Sequence, residues 1–550
     1  FMNTLIRKQK TNFLIALLIA IIFFIYNFVL IYNGHFHEDA YILFVYVENI
    51  VDGNGMTYYP GGPHIEGAID FLWIGMLVVL VKLGLDTGTS AILLNSFGVL
   101  IISFLLSNEI FKSKIKSRGL LFCLYAFLFF WIFWQPLYAA VGGFCIFLYM
   151  ALVLSAFVSV HKEKYILFTP YIALVIALFR SDGVIIGIGF VLVGFYKAYK
   201  RDQVKRYIFG MGVGLFVGIS YFAWRYNYFG NLLPLPLYVK GHGSLIAGLK
   251  QNCDWIIKNS CFLFPILFLS ILNKRTKYYL LLSLPVILLF LALVTATQMQ
   301  NIGYRFQAPI FIIVYYILVL LIIEYIEIHT VSKLVKTVIF IYMFGFALKG
   351  GSFLNGTTRG ITRFNYINQV PLAINKNLPK NMTIALTEAG RMAYWNQSGN
   401  HKIIDLVGLN SEFPSKNTIS IQYLEKLSPD VIMYHHAYQL DVQWLSNNDE
   451  KVVLLTNEDK KYLVNKYKYS DLERVSLAKV KNASIVATQF IQKYFNEYDI
   501  FIAYYHGDYK HIYAFKKRLN LRSKMNALLL KGFQRNTALS YYDMQDTLHK

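Results

Sequence analysis

Long apolar runs separated by short polar loops fill the chain up to about residue 350, and beyond residue 352 short β-rich runs take over. A membrane-crossing helix needs about 20 predominantly apolar residues. Runs of that kind fall at roughly 12–33, 89–107, 119–135, 138–159, 165–180, 183–198, 207–224, 255–272, 278–297, 306–328 and 333–350, which predicts eleven spans. A twelfth stretch, 71–85, is shorter and carries Lys82. In the second part, runs at 382–386, 402–407, 431–434, 452–455 and 500–505 predict strands, with helical stretches at 421–427 and 483–494 between them. Strands and helices mixed over about 200 residues read as a small α/β domain. Segment 510–535 has eight Lys or Arg and no acid, and predicts a basic helix, either solvated or lying on anionic lipid headgroups.

Composition narrows the class. Of 550 residues, 56% are apolar and only 15% charged, where an ordinary soluble domain is about a quarter charged. With a mean hydropathy of +0.44, this excludes a conventional soluble protein, a disordered chain and a disulfide scaffold. The four cysteines match no zinc spacing, and none lies after Cys261. The first apolar run is too long for a signal-peptide core and reads as a retained anchor. The net charge of +22 is read first as topology. Arg7, Lys8 and Lys10 put the N-terminus in the cytoplasm. If 71–85 lies along the outer face as a juxtamembrane helix, inner loops hold 19 Lys or Arg and outer loops of the membrane part hold 7. The expected architecture is therefore a polytopic α-helical membrane module over 1–351, with a first outer loop and juxtamembrane helices at 34–88. An extracytoplasmic α/β domain over 352–550 follows. Positive charge spread over loops on both faces speaks against a nucleic-acid partner.

This topology gathers candidate chemistry at one membrane surface. The first outer loop carries His37-Glu38-Asp39-Ala40-Tyr41 and later Glu66-Gly67. Ionisable residues at the membrane boundary are expensive and are functional candidates, and a shielded carboxylate can act as a general base toward a hydroxyl. Two solvated loop acids are the plain alternative. Arg180-Ser181-Asp182-Gly183 interrupts an apolar run, and its Arg needs an acidic partner or a phosphate; an Arg–Asp pair closing a helix hairpin would equally explain it. Tyr238-Val239-Lys240 follows helix-breaking prolines, and Gly303-Tyr304-Arg305 opens a span. Lys240 and Arg305 are either phosphate ligands or snorkelling anchors. Together the acids and cations form the inventory for a hydroxyl attacking a sugar whose leaving group is a lipid phosphate.

These segments resemble the bacterial GT-C glycosyltransferases that use polyprenyl-phosphate arabinose, the group containing the mycobacterial terminal arabinofuranosyltransferase and pilin arabinosyltransferases. The resemblance rests on Glu38-Asp39-Ala40-Tyr41, Tyr59-Pro60-Gly61, Glu66-Gly67 with Phe71-Leu72-Trp73, Arg180-Ser181-Asp182-Gly183, Leu233-Pro234 with Lys240, and Arg305-Phe306 with Pro309. Ala389-Gly390 and Asp405-Leu406-Val407-Gly408-Leu409-Asn410 extend it into the outer domain. Departures are Glu38 in place of Asp, Asp70 in place of Asn, and Leu235-Pro236 in place of Asn-Thr. The resemblance implies a lipid-linked sugar donor used outside the bacterial inner membrane. Asp39 is then the expected base, Glu38 its helper, and Lys240, Arg305 and Arg180 the phosphate ligands. Glu66, His37, Tyr238, Tyr304 and Asp182 are expected to contact sugar or acceptor. The acceptor is a cell-envelope glycan or a surface-protein hydroxyl. No cofactor is expected. A divalent ion on Glu38, Asp39, His35 and His37 is the less favoured alternative, since cations can meet the charge of a single phosphate. Rival readings are a ligase for diphosphate-linked oligosaccharides and a lipid-linked sugar flippase, and oligomeric state is left open.

Overall fold

The structure, a computed structural model, describes residues 2–240, 245–273, 275–296, 298, 301–328, 333–363, 365–436, 452–463, 478–506, 509–532 and 539–548. Among these, five helices are long and apolar enough to cross a membrane: Lys10–Tyr32, Thr87–Lys112, Val204–Phe229, Ala308–Ile328 and Thr337–Thr362. Two bent pairs, Leu245–Lys258 with Ser260–Leu272 (73°) and Thr276–Leu282 with Leu284–Thr295 (61°), raise the number to seven if each is one span. Proline in the first turn of Leu284–Thr295 ends the preceding helix. At the other break, the Asn259 side chain donates to the Trp255 carbonyl (2.8 Å) and competes with the helical ladder.

The remaining predicted spans coincide with apolar helices of 10–17 residues: Gly119–Phe133, Ile146–Lys162, Ile166–Phe179 and Gly183–Tyr199. Stretch 71–85 forms a helix of 12 residues, Phe71–Lys82. At 1.5 Å per residue it rises about 18 Å, against a hydrocarbon core of about 30 Å. Phe209, Leu215, Phe216 and Ile219 on Val204–Phe229 are exposed, as suits a lipid-facing helix. The helix carrying the last predicted span runs on to Arg363, past the expected boundary at 351, and the first strand starts at Thr383.

The C-terminal part is built, among the described residues, on a mixed six-stranded sheet, ordered β2-β1-β3-β6-β5-β4. Its strands are β1 (Thr383–Leu386), β2 (Lys402–Asp405), β3 (Val431–His436), β4 (Val452–Leu454), β5 (Tyr498–His506) and β6 (Tyr509–Lys516). β1 pairs in parallel with β2 and β3, and the other pairings are antiparallel. Both faces are buried, with the strict alternation a pleated strand imposes. On β3 and β6, Ile432, Tyr434, Ile512 and Ala514 pack toward the helix Ala478–Lys493. Val431, Met433, Tyr513 and Phe515 pack to the other side, into the core shared with the membrane module.

Segment 510–535 is not one helix. Tyr509–Lys516 is an interior strand, a short 3-10 turn follows at Lys517–Leu519, and among the described residues Arg522–Gly532 is the α-helix. The reason is in its pattern: Tyr513 and Phe515 alternate with Ile512 and Ala514 at a period of two. Its basic positions Lys516, Lys517, Arg518, Arg522 and Lys524 gather where β6 ends, level with the start of β3. The opposite edge of the sheet is the one that meets the membrane module.

Between the two parts lies the helix Glu38–Val51, buried along most of its length. Gly390 and Gly67 mark the closest approaches to the sheet domain. A Cβ on Gly390 would run into the carbonyl oxygen of Glu38, and one on Gly67 into the Asn410 side chain and the Tyr46 hydroxyl. The helix Tyr541–Leu548 closes the same seam. The Tyr541 N–H donates to the Gly34 carbonyl (3.0 Å), and His35 Nε2 meets the Leu539 carbonyl at 2.8 Å. Gly390→Ala and Gly67→Ala are each expected to lower stability by about 1–3 kcal/mol through overpacking. Gly75→Ala, which meets open space, is expected to leave it unchanged or raise it; thermal unfolding in detergent checks all three.

Candidate functional site

The site starts from the first turn of Glu38–Val51. His37 caps the helix, its Nδ1 accepting from the Asp39 N–H at 3.3 Å. Two carboxylates in the first turn sit at the positive end of the helix dipole. Successive helical side chains point about 100° apart, so adjacent Glu38 and Asp39 face different partners.

Asp39 faces the membrane module, where its Oδ2 lies 3.3 Å from Arg305 Nη2. Burial pushes the Asp39 carboxyl up, but Arg305, His37 and Lys240 outweigh it and hold the group below the usual range. Lys240 stands at the end of the short helix Leu235–Lys240. Burial and Arg305 draw its ammonium below the ordinary lysine value, opposed by the charges of Asp39 and Asp405. Asp39, Arg305 and Lys240 thus act on one another, from positions up to 266 residues apart, the separation of Asp39 and Arg305. Arg305 is buried, lies over the Phe144 ring (4.3 Å), and among the described residues its Nε has no hydrogen-bond partner.

The loop that presents Arg305 is held by buried amides. Gly303 adopts a φ of +58°, and a Cβ there would press on the Gln135 carbonyl at 2.5 Å. Asn301 accepts from the Phe306 N–H (3.1 Å) and donates to Gln307 (2.8 Å), which in turn donates to Gln298 (2.7 Å) and Asn252 (3.2 Å). Fully satisfied networks of this kind hold a loop in one geometry.

Glu38 faces the sheet domain instead. Its Oε1 accepts from the Gly390 and Arg391 N–H groups (2.7 and 3.1 Å), and its Oε2 pairs with Arg391 Nη1 at 3.0 Å. Burial raises the Glu38 carboxyl, opposed by Arg391 and reinforced by Glu388. Glu38 therefore ties the two parts together, and of the paired acids it is Asp39 that meets the cations of the membrane module.

Other expected site residues lie elsewhere. Arg180 is committed to Asp182 through two contacts, 3.0 and 3.2 Å, and Tyr149 donates to the same carboxylate at 3.3 Å. Arg180 and Arg305 share Phe306, at 5.9 and 5.3 Å from its ring, so Arg180 stands one layer behind Arg305. Glu66 is paired with Arg225 at 2.5 Å, both side chains at most 8% exposed. Its own carbonyl accepts from Leu235 (3.1 Å), which fixes the segment leading to Lys240. Tyr304 turns outward, with Lys258 donating to its hydroxyl at 2.6 Å and Asp254 accepting from it. Tyr238 is half-buried beside Lys416 (5.9 Å). His35 packs against residue 539, away from His37, and among the described residues no group of three or more His, Cys, Asp or Glu converges as metal ligands would.

Sequence reasoning missed what the sheet contributes. Arg391 and Glu388 follow β1, and the Glu388 carboxylate pairs with His511 of β6 at 3.1 Å. The Ala389 carbonyl accepts from Tyr58 (2.6 Å). In the Asp405–Asn410 turn, Asp405 accepts from the N–H groups of Val407, Gly408 and Asn410 (2.9–3.2 Å), and Asn410 accepts from Tyr46 at 3.1 Å. The Asp-x-x-Gly-Leu-Asn stretch is thus a structural latch onto the helix Glu38–Val51.

A family model described as Domain of unknown function (DUF8728) matches residues 359–523, which span the sheet from before β1 to the end of β6. Comparison with curated proteins gives no match.

Burial takes the His37 imidazole down to about 4, with Arg391 and Arg305 adding to the effect and Asp39 and Glu388 opposing it. The unfolded chain takes up this proton near pH 6.5 while the folded one refuses it, so stability is whole above pH 6.5 and is lost as pH falls toward 4. At pH 5 the loss from His37 is expected to be up to about 2 kcal/mol. His37→Asn keeps a good helix cap and removes the titration. Its thermal midpoint should fall less than wild type's between pH 7 and pH 5.

Proposed function

We propose that this protein is a membrane glycosyltransferase that transfers a single sugar, in our reading arabinofuranose, from a polyprenyl-phosphate donor to a hydroxyl of an envelope glycan or surface protein. The observation that carries the reading is the group of half-buried Asp39 and Lys240 around buried Arg305, with Arg305 Nε lacking a partner among the described residues. A buried guanidinium donor without an acceptor suits an anionic ligand, and a phosphate with one negative charge matches cations of this number. The resemblance in the outer loops supports the sugar and the lipid. In this reading the membrane module crosses the bacterial inner membrane eleven times, with its N-terminus in the cytoplasm and the sheet domain outside.

The proposed step balances as follows. The acceptor oxygen attacks the anomeric carbon, forming the new C–O bond. The bond from that carbon to the phosphate oxygen breaks, and polyprenyl phosphate leaves with a second negative charge. The acceptor proton goes to Asp39. Arg305 and Lys240 stabilise the phosphate as its charge grows, and because they are fixed beforehand they need no reorganisation at that moment. Asp39 begins paired with Arg305. An arriving phosphate competes for that guanidinium and frees the carboxylate to accept a proton. Glu38 acts by holding the helix to the sheet, and Arg180 by supporting Arg305.

Purified protein in nanodiscs with decaprenyl-phosphoryl-[14C]arabinofuranose and a hydroxyl acceptor tests this. Asp39→Asn is expected to lower transfer at least 100-fold while donor retention stays within threefold. Lys240→Ala is expected to raise the donor KM at least tenfold. Transfer by Asp39→Asn at the wild-type rate would remove the base assignment, and release of labelled lipid across the bilayer without a new glycosidic bond would favour a flippase.

A further inference from the structure

The parallel half of the sheet has an order that opens a crevice. The chain leaves β1 for β2 on one side and then returns to β3 on the other. Where consecutive connections depart to opposite sides, a crevice forms outside the carboxyl ends of the strands, and ligands of open α/β sheets bind there. In this protein that edge is turned onto the membrane module: Gly390 and Arg391 hold Glu38, and Asn410 meets Tyr46.

Glu388 lies two residues beyond the end of β1, and His511 pairs in register with His435 of β3. The two side chains meet at 3.1 Å, and the Tyr513 hydroxyl stands 3.1 Å from His511 Nδ1, so the imidazole is engaged at both nitrogens. Glu388 acts electrostatically on His37 and on Glu38, the residues on either side of the turn that presents Asp39. Across the same seam Lys240 feels both Asp39 and Asp405. The mouth of the membrane module and the switch point of the sheet therefore lie on the same seam and act on each other electrostatically.

We propose that this crevice, through Glu388 held by His511, is the acceptor subsite, and that it takes the hydroxyl-rich end of a sugar chain. The proposal rests on the transfer reaction proposed above. Ionised carboxylates only accept hydrogen bonds, which suits a ligand presenting several O–H donors. The crevice lies between β1 and β3, both interior strands with neighbours on each side, where an extended peptide has no edge to join by strand addition. Glu388 is a binding residue for the acceptor, and His511 a positioning residue that orients it.

The test uses the full chain in nanodiscs with decaprenyl-phosphoryl-[14C]arabinofuranose, and two acceptors: an octyl arabinofuranosyl disaccharide and a Ser/Thr-rich peptide. Glu388→Gln and His511→Asn are expected to raise the KM for the disaccharide at least tenfold with kcat changed less than threefold. Donor retention and thermal midpoint should stay near wild type, and Glu388→Asp should recover part of the loss. Tyr513→Phe, which keeps the fold's packing, serves as the second probe of the imidazole's orientation, with a smaller KM increase expected. An unchanged disaccharide KM in these variants overturns the proposal. So does an equal loss of donor retention, or transfer by wild type to the peptide alone or to neither acceptor. Failure of the wild-type protein to retain the donor at all counts instead against the reaction itself.

Discussion

Asp39 and Arg305 meet at the half-buried start of the helix Glu38–Val51, and the surrounding architecture serves to keep that pair in place. Removing two charges from water costs several kcal/mol per ion, and breaking such a pair by deleting one partner leaves an uncompensated charge. The pair therefore needs its neighbours fixed. On one side an amide network through Asn301, Gln307, Gln298 and Asn252 sets the loop that carries Arg305. On the other, His37 caps the helix and Gly142 accepts from the His37 N–H at 3.0 Å. A second cation, Lys240, is placed by the backbone bond from Leu235 to Glu66, whose carboxylate is neutralised by Arg225.

The second consequence of that helix is mechanical. Because neighbouring side chains diverge around the axis, one carboxylate meets the cations of the membrane module and the other grips the sheet domain. Small displacements of the sheet are then transmitted to Asp39 through a single turn of helix. The contacts that prevent such displacements are spread along the seam: Tyr58 on Ala389, Asn410 on Tyr46, and Tyr541 on Gly34. A preorganised electrostatic site depends on this kind of support, since its advantage over water lies in dipoles and charges that do not have to move.

Much of the fold was legible because the bilayer imposes so simple a rule on composition. Apolar runs located the long helices of the membrane module, although several of these are shorter than a full crossing and two are bent; the helix Glu38–Val51, read as part of a loop, and the short helix Leu235–Lys240 escaped because their polar first turn or their prolines interrupt the pattern. Five strands were visible as β-rich runs. β6 was hidden because its lysines and arginines suggested a solvated helix, while the alternation of Tyr513 and Phe515 with Ile512 and Ala514 was the better signal. Asp39, Lys240 and Arg305 could be nominated since charges are conspicuous beside apolar runs. Their ion-pair partners were harder to see. Arg225 sits inside an apolar helix and its link to Glu66 needs coordinates. Glu388, Arg391 and His511 belong to the cluster only through strand order, and no local pattern encodes which end of a sheet is turned toward a distant helix.

The bond between Tyr541 and Gly34 joins positions separated by some five hundred residues, as does the one between His35 and Leu539 at a separation of 504. During synthesis the segment that begins at Gly34 leaves the ribosome long before its partner does. Glu38–Val51, with its fully buried aromatic side chains, must wait through nearly all of translation with one flank uncovered. Contacts of such long range form late and leave apolar surface exposed in the meantime. The seam beside the mouth therefore closes only once the polypeptide around residue 540 is present.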